Sequence, residues 1–132
     1  MRFPDILRSC EMRDGASEME LQSAEQRLGQ RLPEDYRAVL LESDGFEGFV
    51  RRDVYLVLWS VSELVSLNDA YAVSEFIPGV TLLGTDGGDT GYGFRRKGER
   101  VEYVAVPLVG MEPGAVVVIG ESVEDLLERL TR

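Results

Sequence analysis

Apolar residues return every three or four positions along Leu21–Leu40, broken once by Gly and once by Pro, and that spacing predicts two short helices. Ser17 followed three residues later by Glu20 is a capping-box pattern, whose hydroxyl and carboxylate answer N–H groups that a helix start leaves unpaired. Leu21, Ala24 and Leu28 then share a face, and Gly29 supplies the left-handed position that closes the first helix. Pro33 stands where a second helix begins, and Glu34 and Asp35 favour the positive end of its dipole. Tyr36, Val39, Leu40 and Ser43 mark its inner face, and Gly45 stops it.

The pattern changes period further along. Before the helical pair, Ile6, Leu7 and Cys10 share a face and predict a short helix that Asp14-Gly15 breaks. After it, Glu47-Gly48-Phe49 and Arg51-Arg52-Asp53 read as a loop, and Val54–Ser60 is nearly all apolar and aromatic, as in a buried strand. Ser60 and Glu63 form a second capping box, opening a helix with Leu64, Val65 and Tyr71 inward. Thr81–Gly84, Gly91–Arg96, Val101–Leu108 and Ala115–Ile119 predict further strands. Lys97-Gly98-Glu99 joins two of them as a hairpin, and Met111–Gly114 makes the next reversal. Ser122 caps a last helix, with Val123, Leu126, Leu127 and Leu130 on one face. Short turns between successive strands predict an α+β fold, a central antiparallel sheet of about four to six strands with helices packed on one face. Leu28, Leu32, Tyr36, Leu40, Trp59 and Leu126 are expected in the core, whereas Tyr92, flanked by glycines, is expected to be exposed.

Several of these residues also carry a resemblance. Glu25, Leu28-Gly29, Leu32-Pro33, Tyr36, Leu40 and Gly45 stand as they do in the SUKH superfamily, which includes fungal cell-wall-synthesis regulators and many bacterial immunity proteins. Leu58-Trp59 with a helix ending near Asn68 is similar to its second signature, Phe76-Ile77-Pro78 with Gly84-Thr85-Asp86-Gly87-Gly88 to its third, and Ser122–Leu127 to its closing helix. The resemblance covers residues 17–131 of what reads as one domain, 1–132. It implies a non-enzymatic protein-binding module, an immunity protein neutralising a cognate bacterial toxin such as a basic nuclease. The alternative it implies is a cytosolic regulatory or scaffolding module without a toxin.

Charge narrows the partners. The net charge is −10, with 24 acids against 14 bases, which argues against nucleic acid and against an anionic membrane surface. Residues 45–94 hold seven acids against only Arg51 and Arg52, while Arg95, Arg96, Lys97 and Arg100 cluster just after. Such acidity keeps a cytosolic protein soluble, and read more sharply it is a field that steers a basic protein partner. The longest apolar runs are too short to cross a bilayer and the N-terminus lacks a signal-peptide core, so the cytoplasm is the expected location. The lone Cys10 precludes an internal disulfide.

Catalytic chemistry finds little support. Without histidine there is no Ser-His-Asp or Cys-His machinery, and no His-ligated zinc. Thr85–Gly93, reading TDGGDTGYG, is the one segment resembling a site, but it lacks the acid spacing of a calcium loop and the ending of a phosphate loop. It reads as a turn whose aspartates bond to local backbone. No cofactor, metal or catalytic residue is assigned. The expected contact residues are a pool drawn from the acidic segment: Asp44, Glu47, Asp53, Asp69, Asp86 and Asp89, with Tyr92 as the aromatic candidate.

Overall fold

Every strand of the sheet pairs antiparallel with its neighbour in sequence, so spatial order follows chain order. The computed structural model describes residues 11–131. Strand β1 (Glu11–Met12) is a two-residue edge, and six longer strands follow: β2 (Phe46–Arg51), β3 (Val54–Leu58), β4 (Val80–Thr85), β5 (Thr90–Lys97), β6 (Arg100–Pro107) and β7 (Val117–Gly120). Helices α1 (Glu18–Leu28) and α2 (Glu34–Glu42) precede β2, α3 (Val61–Ala70) and the short α4 (Val73–Phe76) separate β3 from β4, and α5 (Val123–Thr131) closes the order. The fold is α+β, as the pattern predicts.

The helix boundaries follow their local chemistry. Both capping boxes form: the Ser17 and Ser60 hydroxyls accept from the Glu20 and Glu63 N–H groups, and each glutamate accepts from its serine's own N–H. Gly29 sits at φ +77°, where a β-carbon would be strained, and α1 ends there. The β5–β6 turn is two residues, Gly98-Glu99, because Lys97 pairs with Arg100.

The sheet curls where glycine lets backbones approach. A β-carbon on Gly84 would overlap the Val57 carbonyl oxygen of β3, and one on Gly93 would overlap the Thr81 carbonyl oxygen of β4. A register shift between Leu82 and Gly84 bends β4 at the same point. Leu82, Leu83, Phe94, Tyr103 and Val104 are fully buried, so the middle strands carry core on both faces. Helix α5 packs against both β7 and β2, strands far apart in the sheet.

Polar groups tie the helices to this core. The Glu25 carboxylate, buried, accepts the Leu32 N–H at 2.7 Å and Arg37 Nε at 3.2 Å. The other side of the Arg37 guanidinium grips Glu18 through two bonds of 3.1 and 2.8 Å. This chain locks α1 to α2, holds the Glu18 carboxyl below its ordinary pKa and raises that of Arg37. Asp35 reaches further: it accepts the Tyr103 hydroxyl at 2.8 Å and the Val123 N–H at 2.8 Å, so α2 caps α5 across 88 residues.

Several expectations need correction. Glu47-Gly48-Phe49 is strand rather than loop: Glu47 pairs with Val57 and Phe49 with Tyr55, partners that the local sequence does not reveal. Residues 115–119 are not all strand, since Pro113–Ala115 makes a 3-10 turn and β7 starts at Val117. Val54–Ser60 stops as strand at Leu58 and is half-buried over its first two residues. Leu28 packs only partly into the core, whereas Leu32, Tyr36, Leu40, Trp59 and Leu126 are buried. Tyr71 is exposed at the end of α3, its ring stacked on Trp59 with centroids 6.2 Å apart. Tyr92, expected outside, is 6% exposed: its strand position turns the ring into the core side of the curl. The helix expected from Ile6, Leu7 and Cys10, and Cys10 itself, lie outside the described residues.

Candidate functional site

The β2–β3 hairpin, the β4–β5 turn and the end of α5 enclose a surface depression of about 440 Å³, lined by Arg51, Asp53, Val54, Tyr55, Asp86, Tyr92, Arg129 and Leu130. Three of the seven expected contact residues, Asp53, Asp86 and Tyr92, meet here. They come from three segments, and only the antiparallel pairing of β3 to β4 and β4 to β5 brings them together.

Asp86 is set by its turn. Its Oδ1 accepts the Gly88 N–H at 2.8 Å and the Thr90 N–H at 3.1 Å, while its own N–H donates to the Thr90 carbonyl. The Thr85 hydroxyl accepts the Gly87 N–H, and Gly87 takes φ +82° against the Tyr55 ring. Oδ1 is thus occupied by backbone, and Oδ2 has no hydrogen bond among the described residues. Asp53 stands exposed at the hairpin, its carboxylate 3.3 Å from Arg51 Nε.

Tyr92 forms the floor. No buried side-chain oxygen or nitrogen among the described residues lacks a partner, yet the Tyr92 hydroxyl has none. The hydroxyl is therefore the part of this buried residue that opens into the depression it lines. Burial, and next the Asp86 carboxylate, push the phenol's pKa up, so it stays protonated at neutral pH.

Glu47 lies beside the site. The Tyr55 hydroxyl donates to its carboxylate at 2.7 Å, and Arg13 stands 3.6 Å away. Tyr55 meets its cross-strand partner Phe49 edge-on at 5.0 Å, and Phe49 is 54% exposed. The remaining candidates sit elsewhere. Asp44 accepts the Val61 N–H at 2.7 Å and so helps cap α3. Asp69 is exposed late in α3, and Asp89 is exposed in the β4–β5 turn, its carbonyl accepting the Leu108 N–H. The lining residues Arg51, Tyr55 and Arg129 gave no sequence signal. Arg129 in particular reads as an ordinary cation in a last helical turn.

The basic cluster does not make an equivalent site. Arg31, Arg96 and Glu121 line a larger depression of about 760 Å³ with Leu32–Asp35 and Val101. Its cations are answered within the chain, Arg31 by Glu34 at 3.1 Å and Arg96 by the Arg31 carbonyl, and its Glu121 is taken by Arg100 at 3.3 Å. Arg95 pairs with Glu102 directly across the β5–β6 ladder at 2.9 Å.

Chemically, the site by Tyr92 offers two carboxylates, two guanidiniums and aromatic surface. It has no nucleophile paired with a base among the described residues, which is what acyl or phosphoryl transfer by side chains needs. No described group of three or more metal-ligating side chains converges anywhere, and no described helix is long and apolar enough to cross a membrane. No curated protein matches the chain. Residues 15–129, however, match the SMI1 / KNR4 family (SUKH-1), and the chain belongs to that family.

Proposed function

We propose that this protein is an immunity-type binding module that neutralises a basic toxin domain, contacting it through the depression between the β2–β3 hairpin and the β4–β5 turn. Members of the family are commonly immunity proteins and generally non-catalytic. The observation that carries the reading is the convergence of Asp53, Asp86 and Tyr92 on one hollow, with Glu47 beside it on a chain of net charge −10. A nuclease holds phosphates with cations, and carboxylates compete for them: Asp53 and Asp86 in a hollow they share with Arg51 and Arg129, and Glu47 beside it. Exposed Phe49 adds apolar area of the kind that anchors interfaces. Asp44, Asp69 and Asp89 fall outside the hollow, and we assign the contact to the other four.

The test is survival on co-expression with the toxin encoded beside the gene. The wild-type chain is expected to protect the cells. Asp53→Lys with Asp86→Lys should abolish protection, and Glu75→Lys with Glu112→Lys, both exposed and outside the lining of the hollow, should leave it intact. Raising salt should slow association, because exposed charges are screened beyond about 8–10 Å. If no adjacent toxin exists, or the partner recovered is acidic and indifferent to salt, a regulatory scaffold replaces the immunity reading.

A further inference from the structure

We infer that β7 is an interface between two copies of this chain, whose edge strands pair antiparallel across a two-fold axis and join the two sheets into one. The inference goes beyond the toxin reading and does not rest on it. β7 ends the sheet: it pairs with β6 on one side, and no described strand lies on the other. Successive pairs of an antiparallel ladder alternate in where their backbone groups point. Of the neighbouring pairs Val104 with Val118 and Ala105 with Val117, one therefore leaves β7 with its N–H and C=O turned outward. What completes such an edge is an extended strand. The side chains repeat the point. Val117 is 55% and Val118 41% exposed, although successive strand residues face opposite sides of a sheet and Val104, the partner of Val118, is fully buried. The exposure belongs to the edge rather than to one face. Lysine, proline and inward charges are what keep edge strands single, and Val116–Gly120 carries none of them. Val116 already stands extended at φ −76° and ψ 126°, and the irregularity in the β6–β7 ladder comes only after Val118.

Charge selects the occupant. Tyr103–Gly120 holds one charged residue, Glu112, in a chain with 24 acids and 14 bases among its 132 residues. Glu121, just past the strand, is answered by Arg100 at 3.3 Å. A basic partner finds no attraction in this neutral edge. A second copy, itself at −10, can approach here without setting carboxylate against carboxylate. A two-fold contact also needs a surface complementary to itself, and an uncharged strand of valines meets that condition where a charged one does not. Each copy spends its β7 on the other, so the assembly closes at two. A strand-to-strand contact of this length falls below the roughly 1,200 Å² of a stable interface, which makes the dimer weak and dependent on concentration.

The test is sedimentation velocity on the full chain over a range of concentrations, at low and at high salt. Monomer should give way to dimer as concentration rises. Added salt should favour the dimer, because it screens the repulsion between two chains of −10. Backbone amides of Val117–Ile119 should exchange more slowly as the dimer fills. Val117→Lys and Val118→Lys each set a like charge close to its own copy, and each should weaken the dimer about tenfold. Phe76→Lys, at a comparably exposed apolar site off the edge, should leave it unchanged. Should Val118→Lys lower the melting temperature, Val117→Lys, the more exposed of the two, carries the comparison. A chain that stays monomeric at millimolar concentration in high salt would overturn the inference. So would a dimer that survives both lysines, one that Phe76→Lys weakens equally, or oligomers that grow past two.

Discussion

The side-chain amide of Asn68 holds both backbone groups of Leu82: Nδ2 donates to the Leu82 carbonyl at 2.9 Å, and the Leu82 N–H donates to Oδ1 at 2.8 Å. Asn68 thus stands in for a strand neighbour beside the bulge in β4, where the register shifts between Leu82 and Gly84. Its Nδ2 also donates to the Leu64 carbonyl at 2.7 Å, which joins the clamp to α3. Truncating Asn68 to Ala leaves two strand groups unpaired in a half-buried place. The cost expected in urea denaturation is about 2–3 kcal/mol. A loss under about 0.5 kcal/mol would show that water replaces the amide without penalty.

Leu40 is fully buried on the inner face of α2. Leu40→Ala should destabilise the protein by about 2–5 kcal/mol, the range for emptying a core leucine site. A cost below about 1 kcal/mol would mean that the helix face collapses into the space.

Asp35→Ala removes at once the acceptor for the Tyr103 hydroxyl and the cap of α5. A loss of about 1–2 kcal/mol is expected from the cap alone. Amide hydrogen exchange should rise first in Val123–Leu127. Equal acceleration over α1 would contradict a local role.

Acid should weaken the fold through two partly exposed pairs. Arg37 holds Glu18, and Arg95 holds Glu102, with a folded pKa below the ordinary 4.5. A depressed carboxyl stabilises the protein above its unfolded pKa, and that contribution is lost as pH falls through the lower folded value. The melting temperature should therefore drop below about pH 4.5, and Glu102→Gln should flatten the decline. High salt should shrink the effect, because these groups touch solvent. A variant declining as steeply as wild type would remove Glu102 from the account.

Alkali acts with the opposite sign. Burial raises the Tyr36 and Tyr103 phenols far above their ordinary value of 10, with nearby carboxylates adding to the shift. These groups keep their proton in the folded protein and release it on unfolding, so stability falls as pH rises past 10. Phenolate absorbance from these two tyrosines should appear only with loss of the Trp59 fluorescence that reports the fold. Full titration of all five tyrosines at pH 11 in the folded state would contradict their burial.

Local chemistry was legible in the chain. Ser17 with Glu20, Ser60 with Glu63, Gly29 and Gly98-Glu99 each act within four residues, so their spacing alone determines helix starts, a helix end and a hairpin. The apolar period likewise determines that Leu21, Leu40 and Leu126 turn inward. Turn chemistry at Asp86 is of the same kind, because its bonds reach only Gly88 and Thr90. Tertiary structure decided the rest. Glu47-Gly48-Phe49 becomes strand because β3 pairs with it, and the energy of that pairing lies in Val57 and Tyr55 rather than in the segment's own charged and glycine-containing sequence. Asp44, Asp35 and Asn68 look like ordinary polar residues until distant backbone arrives at Val61, Val123 and Leu82. Tyr92 is flanked by glycines that suggest exposure, yet the curl of the sheet leaves the residue only 6% exposed. Asp53 and Asp86 share a hollow because strands 57 and 85 meet in register. Contacts of that range depend on the closure of the whole sheet, and no local spacing encodes them.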